Sequence, residues 1–453
     1  MGLFGRFRGK KKPRVVIIGL DGTPHSLVTR LIGEGRLPNI AALTREGTLT
    51  AMNSVYPWVS SVAWSTFMTG ANPARHGVFG FIDRDPETYK TFIPTGRHIK
   101  APTLWEVLSR AGKRVFVMNV PVTFPPREVN GILIAGFLCP TVDKVANPPS
   151  LVPTLKQLGY RIDADPWLAR ESLEKMMADI EDALEKRVQT MFHFWEQEDW
   201  DFFMTLIMET DRLHHFYWGH MEAEHPQWAP AFYRLYERLD AVIGEMRDRL
   251  DDRTSLILLS DHGFCSIRQE VYYNRWLADG GWLQYANTPP DPKKQLAEIA
   301  PSSVAYSMDP GRVFIRVKGR EKDGSVEPGP AYEHLRNELI QAAEALRDPE
   351  TGSKLVKKAF RREELYDGPY LDQAADLILA PVDGYDPKGK LFSESLLRTD
   401  PVMVGMHTYE DALLYLGGQQ VARDSCGIMD VFPTILRLLD VPIPPHVDGK
   451  SLV

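Results

Sequence analysis

The sequence predicts an α/β protein built around a buried, mostly parallel sheet. Short β-branched runs alternate along the chain with longer helical patterns, as strands and helices do in such folds. The first run, Arg14–Leu20 (RVVIIGL), is apolar almost throughout, as expected for a strand covered on both faces. With 453 residues, 43% hydrophobic and 25% charged, the chain is long enough for one large domain with insertions or for two or three domains.

Turn and capping residues divide the chain into individual elements. Directly after the first strand, Thr23 and Pro24 predict the N-cap and first position of a helix. Helices are also expected at Pro38–Glu46 and Pro102–Ala111, each followed by a glycine. Other apolar runs predict strands at Arg114–Met118, Gly131–Ala135, Phe202–Ile207, Ser255–Leu259, Ala375–Leu379 and Leu413–Leu416. Long helical patterns lie near residues 170–197, 228–251, 330–347 and 430–439.

Composition predicts four segments. Residues 1–13 form a basic arm, which we expect to be disordered or to make a weak contact with an anionic membrane. The stretch 266–400 is richer in proline, glycine and charge, so it is predicted to be an insertion or cap. It would separate the two parts of a catalytic core, residues 14–265 and 401–453. The chain beyond the arm is acidic, so nucleic-acid binding is not expected.

The same survey predicts a cytoplasmic protein. No apolar run reaches the roughly 18–20 residues of a membrane span, and the basic start lacks the apolar region of a secretory signal. The three cysteines, Cys139, Cys265 and Cys426, are far apart and form no CxxC pair. A disulfide framework is therefore not expected, and a reducing compartment is favoured.

Candidate ligands for a metal follow several of the predicted strands. Asp21 comes directly after the first strand, Asp261-His262 after the strand at 255–259, and Asp211 four residues beyond the strand at 202–207. In open α/β sheets, functional groups gather beyond the carboxyl ends of the strands. Each acid alone is typical of a turn or a helix cap, but the set indicates a functional site.

Histidine spacing adds to this set. Asp211 and His215 are four residues apart and would lie on one face of a helical turn, where one metal ion can bind both. His214 is the competing candidate at this position. His407 is predicted in a glycine-containing loop before the strand at 413–416, where it is either a structural residue or a further ligand.

A hydroxyl-rich segment provides a candidate nucleophile. Ser60 and Ser61 precede a short apolar helix that ends at Gly70. Either serine could simply cap the helix. Alternatively, a serine hydroxyl at a helix N-terminus could attack a phosphate, since the free amides there favour anions. Because the chain lacks the Gly-x-Ser-x-Gly motif, metal activation of the hydroxyl is the preferred hypothesis.

In this order, the motifs resemble those of the alkaline phosphatase superfamily. They are most similar to its type I phosphodiesterase/nucleotide pyrophosphatase branch and to a related group of phosphohydrolase/phosphomutase proteins. The resemblance runs from about residue 14 to the C-terminus. It rests on Asp21, Leu37-Pro38-Asn39-Ile40, the serine segment ending Met68-Thr69-Gly70, Pro73-Ala74-Arg75-His76-Gly77, Asp211 with His215, Asp261-His262-Gly263, Gly405-Met406-His407, Asp430-Val431-Phe432-Pro433-Thr434 and Asp448-Gly449.

The resemblance implies a three-layer α/β/α sandwich with an inserted cap and a site for two divalent ions, usually zinc, with manganese also suited to the ligands. It implies that Ser60 is the nucleophile, with Ser61 as the alternative. One ion would be held by Asp211, His215 and His407. The other would be held by Asp21, Asp261, His262 and Ser60.

Two departures concern the phosphoryl-binding groups. The asparagine that the branch has three residues after its nucleophile is Ala63 here, and the histidine that follows it is Trp64. The resemblance still implies a phosphodiesterase or phosphohydrolase that acts on a small phosphate ester through a phosphoserine intermediate. A phosphomutase and a non-catalytic metal-binding or scaffold protein are the alternatives.

Overall fold

A computed structural model describes residues 12–287, 289–291, 293–399, 401–421, 423 and 425–453. The predicted basic arm, apart from residues 12 and 13, lies outside the described residues. The strands are β1 Arg14–Leu20, β2 Gly47–Met52, β3 Asp83–Arg84, β4 Thr91–Phe92, β5 Val115–Met118, β6 Gly131–Ile134, β7 Ala146–Asn147, β8 Phe202–Ile207, β9 Thr254–Leu259, β10 Gly263–Ser266, β11 Gln269–Tyr272, β12 Ala305–Met308, β13 Arg312–Ile315, β14 Val356–Arg361, β15 Leu377–Pro381, β16 Tyr385–Lys388, β17 Leu397–Arg398, β18 Gly405–Thr408 and β19 Ala412–Gly417.

Helices connect these strands and cover the sheets. They are α1 His25–Gly33, α2 Pro38–Leu43, α3 Ser60–Thr69, α4 Pro73–His76, α5 Leu104–Arg110, α6 Val152–Gln157, α7 Leu173–Gln197, α8 Glu209–Glu222, α9 Trp228–Asp248, α10 Tyr273–Asp279, α11 Pro330–Ala345, α12 Arg362–Leu365 and α13 Val431–Leu438. Every helix among the described residues is too short or too polar to span a lipid bilayer.

The central sheet has eight strands in the order β2-β19-β9-β1-β8-β5-β6-β7. The five inner strands from β9 to β6 run parallel, and β2, β19 and β7 at the two edges pair antiparallel. The apolar residues of β1 alternate between the two faces. Val16 and Ile18 belong to one buried cluster, with α1, α2, α7, α8 and α9, and Val15 and Ile17 to the other, with α3, α5 and α13. The predicted α/β/α architecture is therefore confirmed.

A second buried cluster of strands lies within the stretch predicted to be the insertion. The strands β12, β13, β15 and β14 form an antiparallel sheet. Its apolar residues pack with those of α10 and α11 and with Phe79 and Tyr89. The predicted strand at 375–379 lies here as β15 and not in the central sheet. The segment boundaries at 266 and 400 stay a prediction.

Several predicted boundaries are wrong. The first helix begins at His25, so Pro24 occupies the N-cap position predicted for Thr23. The helix predicted at Pro38–Glu46 ends at Leu43, and Gly47 starts the edge strand β2, which was not predicted. The reason is tertiary: β2 forms a six-residue antiparallel ladder with β19 that local sequence does not encode.

Candidate active site

The inner parallel strands bring the first candidate ligands together. β9, β1 and β8 are neighbours, and their parallel register ends at the same edge of the sheet. Asp21 follows β1, while Asp261 and His262 follow β9. These three residues, which we call the aspartate cluster, are fully buried, and each offers one ligand atom within 4.8 Å of the others.

A second group lies beside the aspartate cluster. Asp211 and His215 are four residues apart on α8, with His215 Nε2 at 3.3 Å from Asp211 Oδ1. His407 Nε2 lies 3.1 Å from the same oxygen. We call these three residues the histidine cluster, and their ligand atoms also lie within 4.8 Å of one another. His214 points elsewhere, since its Nδ1 donates to the Gly22 carbonyl oxygen at 3.0 Å and its Nε2 accepts from Tyr236 at 2.7 Å.

The loop predicted around His407 is wrong, because His407 lies on strand β18. This strand pairs antiparallel with β10, which begins one residue after His262. The pairing sets His407 opposite Phe264 and stacks its ring on that of His262, with ring centroids 3.6 Å apart. A pairing between segments about 140 residues apart therefore joins the two clusters.

Ser60 lies at the aspartate cluster. It is the first residue of α3, and its Oγ is 3.3 Å from both Asp21 Oδ1 and His262 Nε2. The N-cap residue is Val59, so the simple capping role considered for Ser60 or Ser61 is wrong. The glycine at position 19 allows α3 to pack this closely against β1. A Cβ at Gly19 would lie 2.6 Å from Leu206 and 3.1 Å from Trp64 of α3, which is too close.

Backbone carbonyls orient all three histidines. The Nδ1 atoms of His215, His262 and His407 donate to the carbonyl oxygens of Gly405 at 2.9 Å, Gly263 at 3.0 Å and Trp58 at 3.2 Å. A neutral imidazole that donates from Nδ1 keeps a lone pair on Nε2. Each Nε2 therefore faces its cluster as a potential metal ligand, in the arrangement typical of metal-bound histidine.

The buried carboxylates strongly perturb one another. Burial raises the pKa of Asp21 well above its usual range, and the charges of Asp261 and Asp211 add to this rise. Burial also raises the pKa of Asp261 to about 8. Burial alone would raise the pKa of Asp211 as well, but His215 and His407, which in their protonated forms donate to this carboxylate, hold the pKa of Asp211 well below its usual range. The aspartate cluster thus lacks the positive charge that would keep both carboxylates ionised.

Divalent cations fit this arrangement. Asp261 Oδ2 is buried and accepts no hydrogen bond within the described part of the chain. The Nε2 atoms of His215 and His407 lie 3.0 Å apart with their lone pairs facing each other. An unpaired buried carboxylate oxygen and two facing nitrogen lone pairs are both unfavourable in the absence of positive charge. A cation bound at each cluster would remove both problems. Three carboxylates and three imidazoles are a ligand set that suits zinc, with manganese also possible.

A cavity of about 280 Å³ opens onto the histidine cluster and Ser60. Its polar lining consists of Ser60, Asp211, Arg212, His215 and His407. The rest of its lining is apolar, namely Phe81, Ile82, Ile93, Phe137, Leu138 and Met208. The cavity can therefore hold a small group beside Ser60 and the histidine cluster, in contact with apolar side chains.

Sequence reasoning missed the residues that hold the carboxylates in place. Trp64 Nε1 donates to Asp21 Oδ2 at 2.7 Å, so this departure from the family pattern keeps Oδ1 directed at Ser60. Arg212 donates to Asp211 Oδ2 at 3.1 Å and to Asp163 Oδ2 at 2.5 Å. Arg212 could have been suspected from its position next to Asp211, whereas nothing in the sequence points to Asp163.

Comparison with known proteins gives a family and a fold. A family model described as type I phosphodiesterase / nucleotide pyrophosphatase matches residues 15–410. A segment of 59 residues is 42% identical to the 2,3-bisphosphoglycerate-independent phosphoglycerate mutase of Agrobacterium fabrum. That match spans only 12% of this chain and 12% of the mutase.

Solved structures share the fold over nearly the whole chain. Phosphonoacetate hydrolase from Sinorhizobium meliloti 1021, in complex with phosphonoformate, aligns with a TM-score of 0.65 at 15% identity and covers 96% of this chain and 98% of its own. An inactive variant of murine ectonucleotide pyrophosphatase / phosphodiesterase 5, in complex with AMP, aligns with a TM-score of 0.58 at 14% identity and covers 97% and 98%. These likenesses confirm the predicted alkaline-phosphatase-like fold.

Proposed function

Because the chain belongs to the type I phosphodiesterase/nucleotide pyrophosphatase family, we propose that it is a metal-dependent phosphoric ester hydrolase with Ser60 as its nucleophile. Membership confirms the resemblance found in the sequence and supports an enzyme that acts on phosphoesters. The covalent intermediate, the metal requirement and phosphodiesterase activity are parts of this proposal.

One observation carries the proposal. Seven side chains from positions 21 to 407 converge beside one cavity that is lined by Ser60 and the histidine cluster, and the hydroxyl of Ser60 lies 3.3 Å from ligand atoms of the aspartate cluster. Aspartates that serve only in turns or caps are not expected to surround a buried serine together with three histidines whose Nε2 atoms face the same site. The convergence therefore favours catalysis over a purely structural role.

The aspartate cluster with Ser60 would hold one divalent ion, and the histidine cluster would hold the other. When bound, two such ions supply positive charge that favours the ionised serine and the charge that develops on the phosphoryl and leaving oxygens. Three carboxylates and one serine alkoxide balance the four positive charges of two dications. The resting site would therefore be neutral.

The chain's own residues then carry out two displacements. In the first, Ser60 Oγ loses its proton and forms a bond to phosphorus, while the bond from phosphorus to the leaving alcohol breaks and that alcohol takes up a proton. In the second, water forms a bond to phosphorus and the phosphoserine bond breaks, which returns a proton to Ser60. Free phosphate or a phosphomonoester is the product, depending on the ester.

Backbone amides can replace the missing asparagine. Within the described residues, the amides of Ser60 and Ser61 at the start of α3 have no hydrogen-bond acceptor, whereas the next two amides bind the Val59 carbonyl at 2.9 Å. Free amides at a helix N-terminus favour anions. They are therefore suited to bind a phosphoryl oxygen where the family pattern has an asparagine and this chain has Ala63.

The test is hydrolysis of bis-p-nitrophenyl phosphate by the zinc- or manganese-loaded protein. Ser60→Ala should lower kcat at least about 1,000-fold, since no group replaces the nucleophile. Metal content, measured by elemental analysis, should change little because six other ligands remain. Ser61→Ala is the matched control. Full activity in Ser60→Ala, or loss of activity only in Ser61→Ala, would exclude Ser60 as nucleophile.

A phosphomutase is the second candidate, favoured by the local match to a phosphoglycerate mutase. In that case the phosphoserine would return its phosphoryl group to another hydroxyl of the same substrate, and the insertion would close over it to exclude water. Incubation with phosphoglycerates and sugar phosphates separates the two functions. An isomer without free phosphate would indicate a mutase, and free phosphate a hydrolase.

The remaining assignments stay predictions. They are a small phosphate ester as substrate, zinc or manganese as the metal, a cytoplasmic location and a weak membrane contact of residues 1–13. A protein that binds no metal and cleaves no phosphoester would instead be the non-catalytic scaffold considered above.

A further inference from the structure

Arg212 is the one cationic side chain that lines the cavity beside Ser60 within the described residues. Only 9% of its surface is exposed, so the guanidinium lies inside the protein. An arginine side chain stays protonated at any physiological pH, so this cavity carries a permanent positive charge. This charge is separate from that of any bound metal ion.

Two carboxylates and an aromatic ring hold the guanidinium in one orientation. Asp163 accepts from Nε at 3.2 Å and from Nη2 at 2.5 Å, and Asp211 accepts from Nη1 at 3.1 Å. Phe137 covers one face of the group, with Cζ of Arg212 4.9 Å from the ring centroid. Phe81 in turn packs edge-on against Phe137, with 5.9 Å between the ring centroids. Arg212 is therefore preorganised, and a ligand need not immobilise it.

The guanidinium of Arg212 has donors to spare. Such a group carries five N–H bonds, one on Nε and two each on Nη1 and Nη2. Asp163 and Asp211 take one N–H from each nitrogen, and no other acceptor within the described residues contacts the group. Nη1 and Nη2 therefore each keep one N–H for a ligand. Oxyanions suit these donors best, because the resulting hydrogen bonds are charge-assisted.

These donors lie close to the candidate nucleophile. Nη1 contacts Oδ2 of Asp211, and the other oxygen of the same carboxylate contacts His215 and His407 at 3.3 and 3.1 Å. Arg212 is therefore only one carboxylate away from the histidine cluster. It also lines the same small cavity as Ser60, about 280 Å³ in volume. A single phosphoryl group beside Ser60 can therefore contact Arg212 as well.

We propose that Arg212 binds a non-bridging oxygen of the phosphoryl group and thereby makes phosphate monoesters the preferred substrates. The inference rests on the proposed function, which puts the phosphoryl group at Ser60. A phosphoryl group in transfer has three equatorial oxygens. The two clusters with their cations, the amides at the start of α3 and Arg212 are three separate groups that can each bind one of these oxygens.

The number of charged oxygens distinguishes the two substrate classes. A phosphate monoester has three non-bridging oxygens, which share its negative charge, whereas a diester has two. In a diester the third position is an ester oxygen, which is neutral and a weak acceptor. A guanidinium directed at that position stabilises the transition state of a monoester more than that of a diester.

A purely supporting role for Arg212 is the alternative, and Trp64 illustrates such a role. Trp64 donates its single side-chain N–H to Asp21 at 2.7 Å and does not line the cavity. Its loss should disturb the aspartate cluster and slow monoesters and diesters alike. Arg212 supports Asp211 in the same manner, but it also borders the cavity and retains two further N–H groups.

The test compares kcat/KM for p-nitrophenyl phosphate, a monoester, with that for methyl p-nitrophenyl phosphate, a diester with the same leaving group. The full-length zinc-loaded protein is used. Arg212→Gln should lower the monoester-to-diester ratio at least about tenfold, the effect of one hydrogen bond to a charged group. Arg212→Lys keeps a charge between the carboxylates but not the planar fork, so it should retain the metal and still lower the ratio. Trp64→Phe, the matched control, should lower both kcat/KM values by the same factor.

Two further measurements do not depend on turnover. Elemental analysis gives the metal content of each variant. Titration calorimetry gives the dissociation constants of inorganic phosphate and dimethyl phosphate. Inorganic phosphate should bind Arg212→Gln at least about tenfold more weakly than the wild type, whereas the binding of dimethyl phosphate should change little.

Each outcome has a distinct meaning. A ratio that is unchanged in Arg212→Gln and Arg212→Lys, with the metal retained, overturns the inference, and so does an equal fall of the ratio in Trp64→Phe. Loss of metal from both Arg212 variants also overturns it, since Arg212 would then only support Asp211. Weaker binding of inorganic phosphate, but not of dimethyl phosphate, by Arg212→Gln in a protein that hydrolyses neither ester would uphold the anion site and refute the proposed function.

Discussion

Replacing Asp261 by asparagine tests the electrostatics of the aspartate cluster. The side chain is fully buried, and its Oδ2 accepts no hydrogen bond from the described residues. Its Oδ1 accepts from the Gly22 amide at 3.2 Å, a contact that the oxygen of an asparagine amide can retain. Asp261→Asn therefore removes one charge while the shape of the side chain stays nearly the same. In the metal-free protein this should be stabilising.

The magnitude follows from the pKa of Asp261, which burial raises from 3.8 to about 8. A carboxyl whose pKa is raised by folding contributes stability that is complete below pH 3.8 and is lost as the pH rises through about 8. One pKa unit corresponds to about 1.4 kcal/mol. Between pH 5 and pH 8, ionisation of Asp261 should therefore cost the metal-free protein up to about 4 kcal/mol relative to the variant.

The assay is denaturant unfolding of both proteins after metal removal with EDTA, at pH 5 and pH 8. The free energy of unfolding of Asp261→Asn should exceed that of the wild type by an amount that grows with pH. Groups far from Asp261 contribute equally in both proteins and cancel in this difference, whereas the neighbouring Asp21 and His262 remain part of the measured effect. Added zinc should stabilise the wild type more than the variant, which keeps only the histidine cluster as an intact metal site.

Two results would refute this reasoning. One is a difference in unfolding free energy that does not change between pH 5 and pH 8, since Asp261 would then carry no raised pKa. The other is an equal stabilisation of both proteins by zinc, since Asp261 would then not be a ligand.

Two further substitutions test the helix that carries the histidine cluster. His215→Ala should lower the metal content by about one ion per chain and abolish hydrolysis. His214→Gln should keep the metal and the activity and only lower Tm. Elemental analysis and calorimetry measure these effects, and metal loss in His214→Gln but not in His215→Ala would make His214 the ligand. Arg187→Met should destabilise the protein by about 3–5 kcal/mol, because it leaves the buried Glu209 at the start of α8 without its ion pair at 2.8 Å. Denaturant unfolding measures this loss, and a change below about 1 kcal/mol would show that Glu209 is solvated or protonated.

Local sequence was sufficient for much of the fold. The strand at 202–207 has the predicted ends, and the long helices at 173–197 and 228–248 lie within or close to their predicted ranges. Continuous β-branched runs and helical periodicity encode these elements through contacts that every parallel sheet provides. Local signals failed where a segment becomes a strand only because a distant strand pairs with it. This is the case for the edge strand β2 and for β18, which was predicted as a loop.

The candidate site, like the fold, could be predicted only in part from local sequence. Residue types and strand-end positions were sufficient to nominate Asp21, Asp211 and Asp261, and the spacing of four favoured His215. The choice of His215 over His214 follows in the structure from the rotation of α8, which turns His214 towards Tyr236. Sequence contained no information on Asp163, whose contact with Arg212 joins residues 49 positions apart.

The sequence by itself determined the parallel α/β core, the set of ligand-type residues and the serine at the start of α3. These features depend on the periodicity and turn signals of residues that are neighbours in the chain. Only the tertiary structure decided that the two clusters lie side by side, that backbone carbonyls turn three Nε2 atoms inward, and that a cavity with apolar side chains opens beside Ser60. Those features depend on pairings such as β10 with β18, whose partners are about 140 residues apart and leave no local signal.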